Sequence, residues 1–236
     1  MNQTIAIVDA SVGETPAERN LVRSLDAETT VYKVSDGHLP SVPVGGDWRY
    51  DGVVISGSQT SVYDDLGWIH DLTSWVRAVH RADVPTLGIC WGHQFLAQSL
   101  GGRVVNMGAH ELGYRTVNRR GEDPLFADMS ASFTAFQTHS DRVAELPAGA
   151  VELARNEYGI QAFRLGTRYG VQFHPEYDRE TAEWVIENKD LTDERRAAVT
   201  ATVTDGAVAA AREATAVFEN FRELVATHQR RPSRFE

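Results

Sequence analysis

Lysine is almost missing from this chain: of 236 residues only Lys33 and Lys189 are lysine, and the other 21 basic residues are arginine. Cysteine is scarcer still. Cys90 stands alone, which excludes an intramolecular disulfide and a cysteine-based zinc site and leaves either a buried apolar filler or a chemically employed thiol. A basic excess is missing as well: 33 acidic residues against 23 basic ones give a net charge of −10, and the surplus is scattered. A phosphate-backbone binder needs a basic stripe, so nucleic acid is excluded as a partner. No run approaches the roughly 18 consecutive apolar residues of a spanning helix. The first residues show neither the basic segment nor the long apolar segment of a secretory leader. The expectation is a cytoplasmic protein without a membrane partner. The eight histidines have no paired ligand spacing, so no metal and no cofactor are expected. What is present is ample for a core: 42% of the residues are hydrophobic.

The pattern along the chain begins with a β-favouring run at 4–8. Next, Thr15, Pro16 and Glu18 read as a cap, a first helical position and a capping-box acid. Extended runs at 30–34 and 52–55 follow, the second ending in S-G-S at 56–58, where a strand-end loop is a usual place for a site. Over 66–81 the residues Ile69, Leu72, Val76 and Val79 recur at helical spacing, with Trp68 and Trp75 flanking the stripe as core aromatics. A buried-type strand at 85–90 leads to a helix at 93–100, stopped by two glycines. Short extended runs come next, at 104–106, 114–117, 133–136, 151–154, 160–165 and 169–173. The remainder reads as helices at 179–188, 193–202 and 205–229, with a frayed tail at 230–236. Alternating βα units followed by a strand-rich segment predict an α/β fold: an open, mainly parallel sheet flanked by helices, with antiparallel strand additions and a helical C-terminal extension. Residues 1–188 are expected to form the main domain, and 189–236 an extension packed on it.

Two stretches carry chemistry. L-G-I-C-W-G-H-Q at 87–94 sets Cys90 between two glycines at a strand-to-helix junction, the spacing of a nucleophile elbow with cysteine in place of serine. At such a junction the helix start favours a thiolate. The other stretch, V-Q-F-H-P-E at 171–176, lies 84 residues further on, measured from Cys90 to His174. Pro175 biases His174 toward extended angles, and residues two apart in an extended chain project to the same side. Glu176 is thereby placed to hold one imidazole nitrogen while the other faces a thiol, the base-and-orienter arrangement of nucleophilic catalysis. His93, three residues from the thiol on a helix, points elsewhere and reads as structural.

With S-G-S at 56–58, G-G at 101–102 and E-L-G-Y at 111–114, these motifs closely resemble the class I (triad) glutamine amidotransferases, above all the glutaminase part of GMP synthase and its stand-alone relatives. The resemblance covers roughly residues 4–188 and implies the flavodoxin-like architecture of that family. It implies Cys90 as nucleophile, His174 as general base and acid, and Glu176 as orienter. It also implies that the backbone N–H groups of Gly57 and Trp91 form an oxyanion hole and that Gln94 binds the substrate glutamine. T-H-S-D at 138–141 resembles a family loop near the amino-acid end of the substrate, with His139 expected as a loop residue bonded to backbone.

The expected activity is hydrolysis of the glutamine side-chain amide through a Cys90 γ-glutamyl thioester, with a separate synthetase as partner for the ammonia. No glycine-rich phosphate loop accompanies the motifs, and the family's G-Q-Y-like opening is replaced by D-A-S-V-G-E at 9–14. The helical tail resembles that of stand-alone γ-glutamyl peptidases acting on small γ-glutamyl compounds, which is the alternative reading. A third reading, from another class, is a non-catalytic regulatory or assembly subunit.

Overall fold

The computed structural model describes residues 3–43 and 48–230; the tail expected to fray lies outside them from residue 231 onward. Among the described residues nine strands form a single sheet: β1 (Thr4–Asp9), β2 (Glu28–Lys33), β3 (Gly52–Ile55), β4 (Thr86–Ile89), β5 (Arg103–Arg119), β6 (Ser132–Glu145), β7 (Val151–Asn156), β8 (Gly159–Leu165) and β9 (Arg168–Val171). Their order is β2-β1-β3-β4-β9-β8-β7-β5-β6. The first five in that order run parallel and the last four join antiparallel. This is the α/β architecture with antiparallel additions that the alternation of elements predicts.

The strands sort their side chains by the two-residue period. Ile5 and Ile7 of β1 enter one core layer while Ala6 and Val8 enter the other. Helix α1 (Ala17–Leu25) buries Leu21 and Leu25 in the first layer; α2 (Gly67–Arg81) buries Ile69, Leu72, Trp75, Val76 and Val79 in the second. Helix α3 (Trp91–Ser99) follows β4 directly. A third layer, built on Leu112, Tyr114 and Phe136, seats α4 (Arg179–Glu187) and α5 (Asp193–Thr200) on the antiparallel part of the sheet. After α6 (Asp205–Ala211), α7 (Ala216–Gln229) returns Phe218, Phe221 and Val225 to the layer that holds Ile5 and Leu21.

Several boundaries differ from the sequence-based expectation. Pro16, not Thr15, is the N-cap of α1, because the Pro16 carbonyl takes the first helical hydrogen bond from Asn20; the Thr15 hydroxyl accepts from the N–H of Ala17 at 3.3 Å. Helix α3 begins at Trp91 rather than residue 93, since the Cys90 carbonyl already accepts from the N–H of Gln94. The runs at 104–106 and 114–117 are one 17-residue strand, bent by irregular register between Asn106 and Glu111. The T-H-S-D segment is not a loop: it lies inside β6, paired with β5 through Glu111↔His139 and Leu112↔Thr138. The final segment is not one helix, because Arg212–Thr215 tightens into a 3₁₀ turn in which the Thr215 hydroxyl bonds back to the Arg212 carbonyl.

Candidate active site

The site is assembled at the carboxyl ends of β3, β4 and β9. Strands β4 and β9 are parallel neighbours in the register Gly88↔Gly170 and Ile89↔Val171. The N–H of Cys90 continues this ladder by donating to the Val171 carbonyl at 2.8 Å. Residue 90 therefore stands beside residue 172, and two extended residues further, about 7 Å along the chain, comes His174. Sheet pairing brings together two groups far apart in sequence.

Cys90 sits at φ 53° and ψ −103°, a backbone conformation costly for a residue with a Cβ. The turn is held by close packing of its flanking glycines. A Cβ on Gly88 would stand 2.4 Å from the Gly92 carbonyl oxygen, and one on Gly92 would stand 2.4 Å from the Ile55 carbonyl oxygen. The Gly92 N–H also donates to the Ser56 carbonyl at 3.2 Å, which ties the loop after β3 to the start of α3.

His174 lies just past β9 and is fixed from three directions. Its N–H donates to the Phe136 carbonyl at 2.9 Å, its ring stacks on Tyr177 at 4.1 Å, and its Nδ1 lies 2.7 Å from Glu176 Oε1. Both side chains of the pair are 4% exposed. Nε2 is buried without a hydrogen-bond partner, while the Cys90 sulfur is close enough to act on the ring charge. Burial by itself would lower the imidazole, but the negative charges of Glu176 and of the sulfur outweigh it and push His174 up to about 10. The Glu176 carboxylate on Nδ1 thus favours the protonated ring.

A cavity of about 320 Å³ opens over these residues, lined by Gly57, Cys90, Thr138, His174, Tyr177 and a wall from α4 and the turn after it. Of the residues singled out from sequence, Cys90, His174, Glu176 and Gly57 line it. A Cβ on Gly57 would be 3.2 Å from His174 Cε1 and 3.8 Å from Cys90 Cβ, so Gly57 is wedged against both. Among the described residues no acceptor takes the backbone N–H of Gly57 or of Trp91. The Trp91 indole is packed away, stacked on Phe95 at 4.7 Å.

Gln94 does not line the cavity. Its amide donates to the Asp141 carbonyl at 2.8 Å and to Gln172 Oε1 at 3.0 Å, which places it beneath the site. Gln172 in turn donates to the Cys90 sulfur at 3.7 Å. Sequence reasoning passed over Gln172, although it shares the two-residue parity of His174 and Glu176. Tyr177 and Lys189 were passed over too. His93 is a core residue: burial pushes it down to about 3, which keeps it neutral against Phe163. His139 bonds the Asp141 carbonyl as expected, but its other nitrogen meets Glu111, fully buried, at 2.8 Å. Both ring nitrogens are thus held by oxygens, and the buried pair ties β5 to β6 beside the site.

Among the described residues no group of three or more metal-ligating side chains is present, and no helix is long and apolar enough to cross a membrane.

A thiol on a strand-to-helix elbow, beside an imidazole held by a carboxylate at the open end of a parallel sheet, defines an α/β protein with the parts for acyl transfer to sulfur. The chain belongs to the class-I glutamine amidotransferase family, whose model matches residues 6–192. It is 35% identical over 133 residues to a glutamine-hydrolysing GMP synthase of Aliivibrio fischeri strain MJ11, covering 55% of this chain and 25% of that one. It is 32% identical over 188 residues to the corresponding enzyme of Azoarcus sp. strain BH72, covering 74% of this chain and 34% of that one. The chain thus spans only a quarter to a third of the length of these relatives. Among solved structures, a glutamine amidotransferase of Thermotoga maritima superposes with a TM-score of 0.78 at 21% identity, over 95% of this chain and 99% of that one.

Proposed function

We propose that this chain is a cytoplasmic glutaminase that hydrolyses the side-chain amide of glutamine, with residues 1–188 as the amidotransferase unit and 189–236 as a helical extension packed on it. The observation that carries this reading is the buried His174–Glu176 pair beside a thiol on a strained elbow. In the reaction, the Cys90 thiolate attacks the amide carbon, and the oxygen, now negative, lies between the free N–H groups of Gly57 and Trp91. One such preorganised donor is worth about 10² to 10³ in rate. The His174 imidazolium gives its proton to the departing nitrogen, ammonia leaves, and a γ-glutamyl thioester remains. Neutral His174 then takes a proton from water, whose oxygen attacks the thioester; glutamate leaves and the thiolate returns. Glu176 keeps the ring oriented and charged, and Gln94 acts on the site through Gln172. The likeness to glutamine-hydrolysing GMP synthases supports a synthetase that makes GMP as the ammonia acceptor, on a separate chain in this reading.

A second reading, hydrolysis of small γ-glutamyl compounds, draws on one feature: the cavity over the sulfur reaches Trp184, Lys189 and Asp190, which is more space than ammonia alone needs. Both readings predict Cys90-dependent glutamate release from the purified chain, and Cys90→Ala should reduce it to background. Retention of more than about 1% of the wild-type rate would refute covalent catalysis at Cys90. Preference for a γ-glutamyl dipeptide over glutamine, with and without a synthetase, would select the second reading. Cys90-dependent turnover of any γ-glutamyl amide would remove a purely regulatory role.

A further inference from the structure

The two lysines have opposite surroundings. Lys33, at the end of β2, has its ammonium 2.9 Å from Asp9 Oδ2 and donates to Ser11 Oγ at 2.6 Å and to the Gly13 carbonyl at 3.1 Å. Its charge is matched, and it pins the segment after β1. Lys189 lines the cavity over Cys90, and among the described residues its ammonium has neither a hydrogen-bond partner nor a counter-ion. It is the only lysine or arginine among the described residues that line this cavity. Burial holds its pKa below the ordinary lysine value, against the pull of the Cys90 sulfur. A cation kept partly out of water with no hydrogen-bonded counter-ion gains when a carboxylate reaches it.

The turn that carries Lys189 is built, not loose. Arg196 of α5 donates through Nη1 to the carbonyls of Ile186 and Glu187, the latter at 2.9 Å, and through Nη2 to the carbonyl of Lys189 itself at 2.9 Å. Thr192 caps α5, and Val185 and Ile186 are buried against the third core layer. Asp190 lines the same cavity without forming an ion pair to Lys189, so an amino-acid end bearing both charges meets one of each sign.

We propose that the Lys189 ammonium is the carboxylate-binding group of this cavity, pairing with a carboxylate of the γ-glutamyl substrate. That carboxylate is either the α-carboxylate of the glutamyl part or the carboxylate of an amino-acid leaving group. The inference rests on reading the cavity as a γ-glutamyl site, and it assigns Lys189 to substrate selection.

Because Cys90 is the only cysteine, alkylation reads the cavity field without any substrate. The ratio of the rates with iodoacetate and with uncharged iodoacetamide should fall at least about fivefold in Lys189→Met and return in Lys189→Arg, which keeps the charge. Turnover then locates the carboxylate. With glutamine, γ-glutamyl methylamide and γ-glutamylglycine, Lys189→Met should raise KM about tenfold or more for all three if the α-carboxylate is bound, and for γ-glutamylglycine alone if the leaving group is, with kcat within about threefold of wild type. An alkylation ratio within about twofold of wild type overturns the proposal, as does an unchanged KM for all three substrates in an active enzyme. Should the wild-type chain hydrolyse none of them, the glutaminase reading fails by itself, and the alkylation ratio still decides whether Lys189 attracts a carboxylate.

Discussion

Glu176→Gln isolates the electrostatics on which the site depends, because it keeps shape and removes charge. The carboxylate lies 2.7 Å from His174 Nδ1, and both side chains are 4% exposed. Its negative charge helps to push the imidazole from 6.5 to about 10 against the opposing effect of burial. A difference of that size between folded and unfolded states corresponds to at most about 5 kcal/mol, and breaking a buried pair by removing one partner costs about 3–5 kcal/mol. For a domain of this size each kcal/mol moves Tm by about 2–4 °C, so the variant should melt roughly 6–20 °C below wild type at pH 7. The sign of the pH dependence follows from the raised value. The stabilisation is fully present below the unfolded-state value of 6.5 and is lost as pH rises through about 10. The gap in Tm, followed by dye-based thermal melts from pH 6.5 to 10.5, should therefore narrow steadily with pH. A gap under about 2 °C at pH 7, or one that does not shrink toward high pH, would refute a charged His174–Glu176 pair.

Two further perturbations test how the site is held. In Gly92→Ala the new methyl group would lie 2.4 Å from the Ile55 carbonyl oxygen and 3.0 Å from its carbon, both backbone atoms that cannot move aside without shifting β3. A loss of about 3 kcal/mol or more, or no folded protein, is expected in urea titration; a midpoint equal to wild type would show that α3 is free to slide. Phe221→Ala removes a fully buried ring of α7 from the layer shared with Ile5 and Leu21, at an expected cost of about 3–5 kcal/mol in one cooperative transition. Two separate transitions would mean that α7 is not part of the main core.

The residues that lie together in the site were legible for reasons that are local. The elbow needs glycines at 88 and 92 because backbone of β3 and of α3 passes within contact distance of them, and that requirement is written in the motif itself. The His174–Glu176 pair follows from strand parity around Pro175. The same parity includes Gln172, which was missed because glutamine carries no charge to mark it. The antiparallel half was harder to read. Its buried positions in β5 and β6 include Glu111 and His139, which bond each other, Gln137, which donates to Gln161, and Asp141, which accepts from Ser61, and these polar residues erase the apolar alternation that identifies a strand. The bend between Asn106 and Glu111, with Gly108 at positive φ, further disguised one long strand as two short ones. The break in the last helix has no glycine or proline to announce it; only the Thr215 hydroxyl, which bonds a carbonyl of its own turn, hints at it.

This division has a consequence for how substrate choice is encoded. The thiol, its imidazole and its carboxylate lie at or just beyond the ends of β4 and β9, where the register of a buried parallel sheet leaves little freedom, so their placement is fixed by which strands are neighbours. The opposite wall, with Trp184, Lys189 and Asp190, is carried by a helix and turn that sit on the outer face of the antiparallel strands, the turn carbonyls being held by the guanidinium of Arg196. A change there alters what meets the sulfur without disturbing the sulfur. On this argument the choice among γ-glutamyl substrates is set by residues 184–190, and exchanging the turn at 188–190 for another of equal length should change KM among those substrates in steady-state assays, whereas an unchanged KM for all of them would refute it.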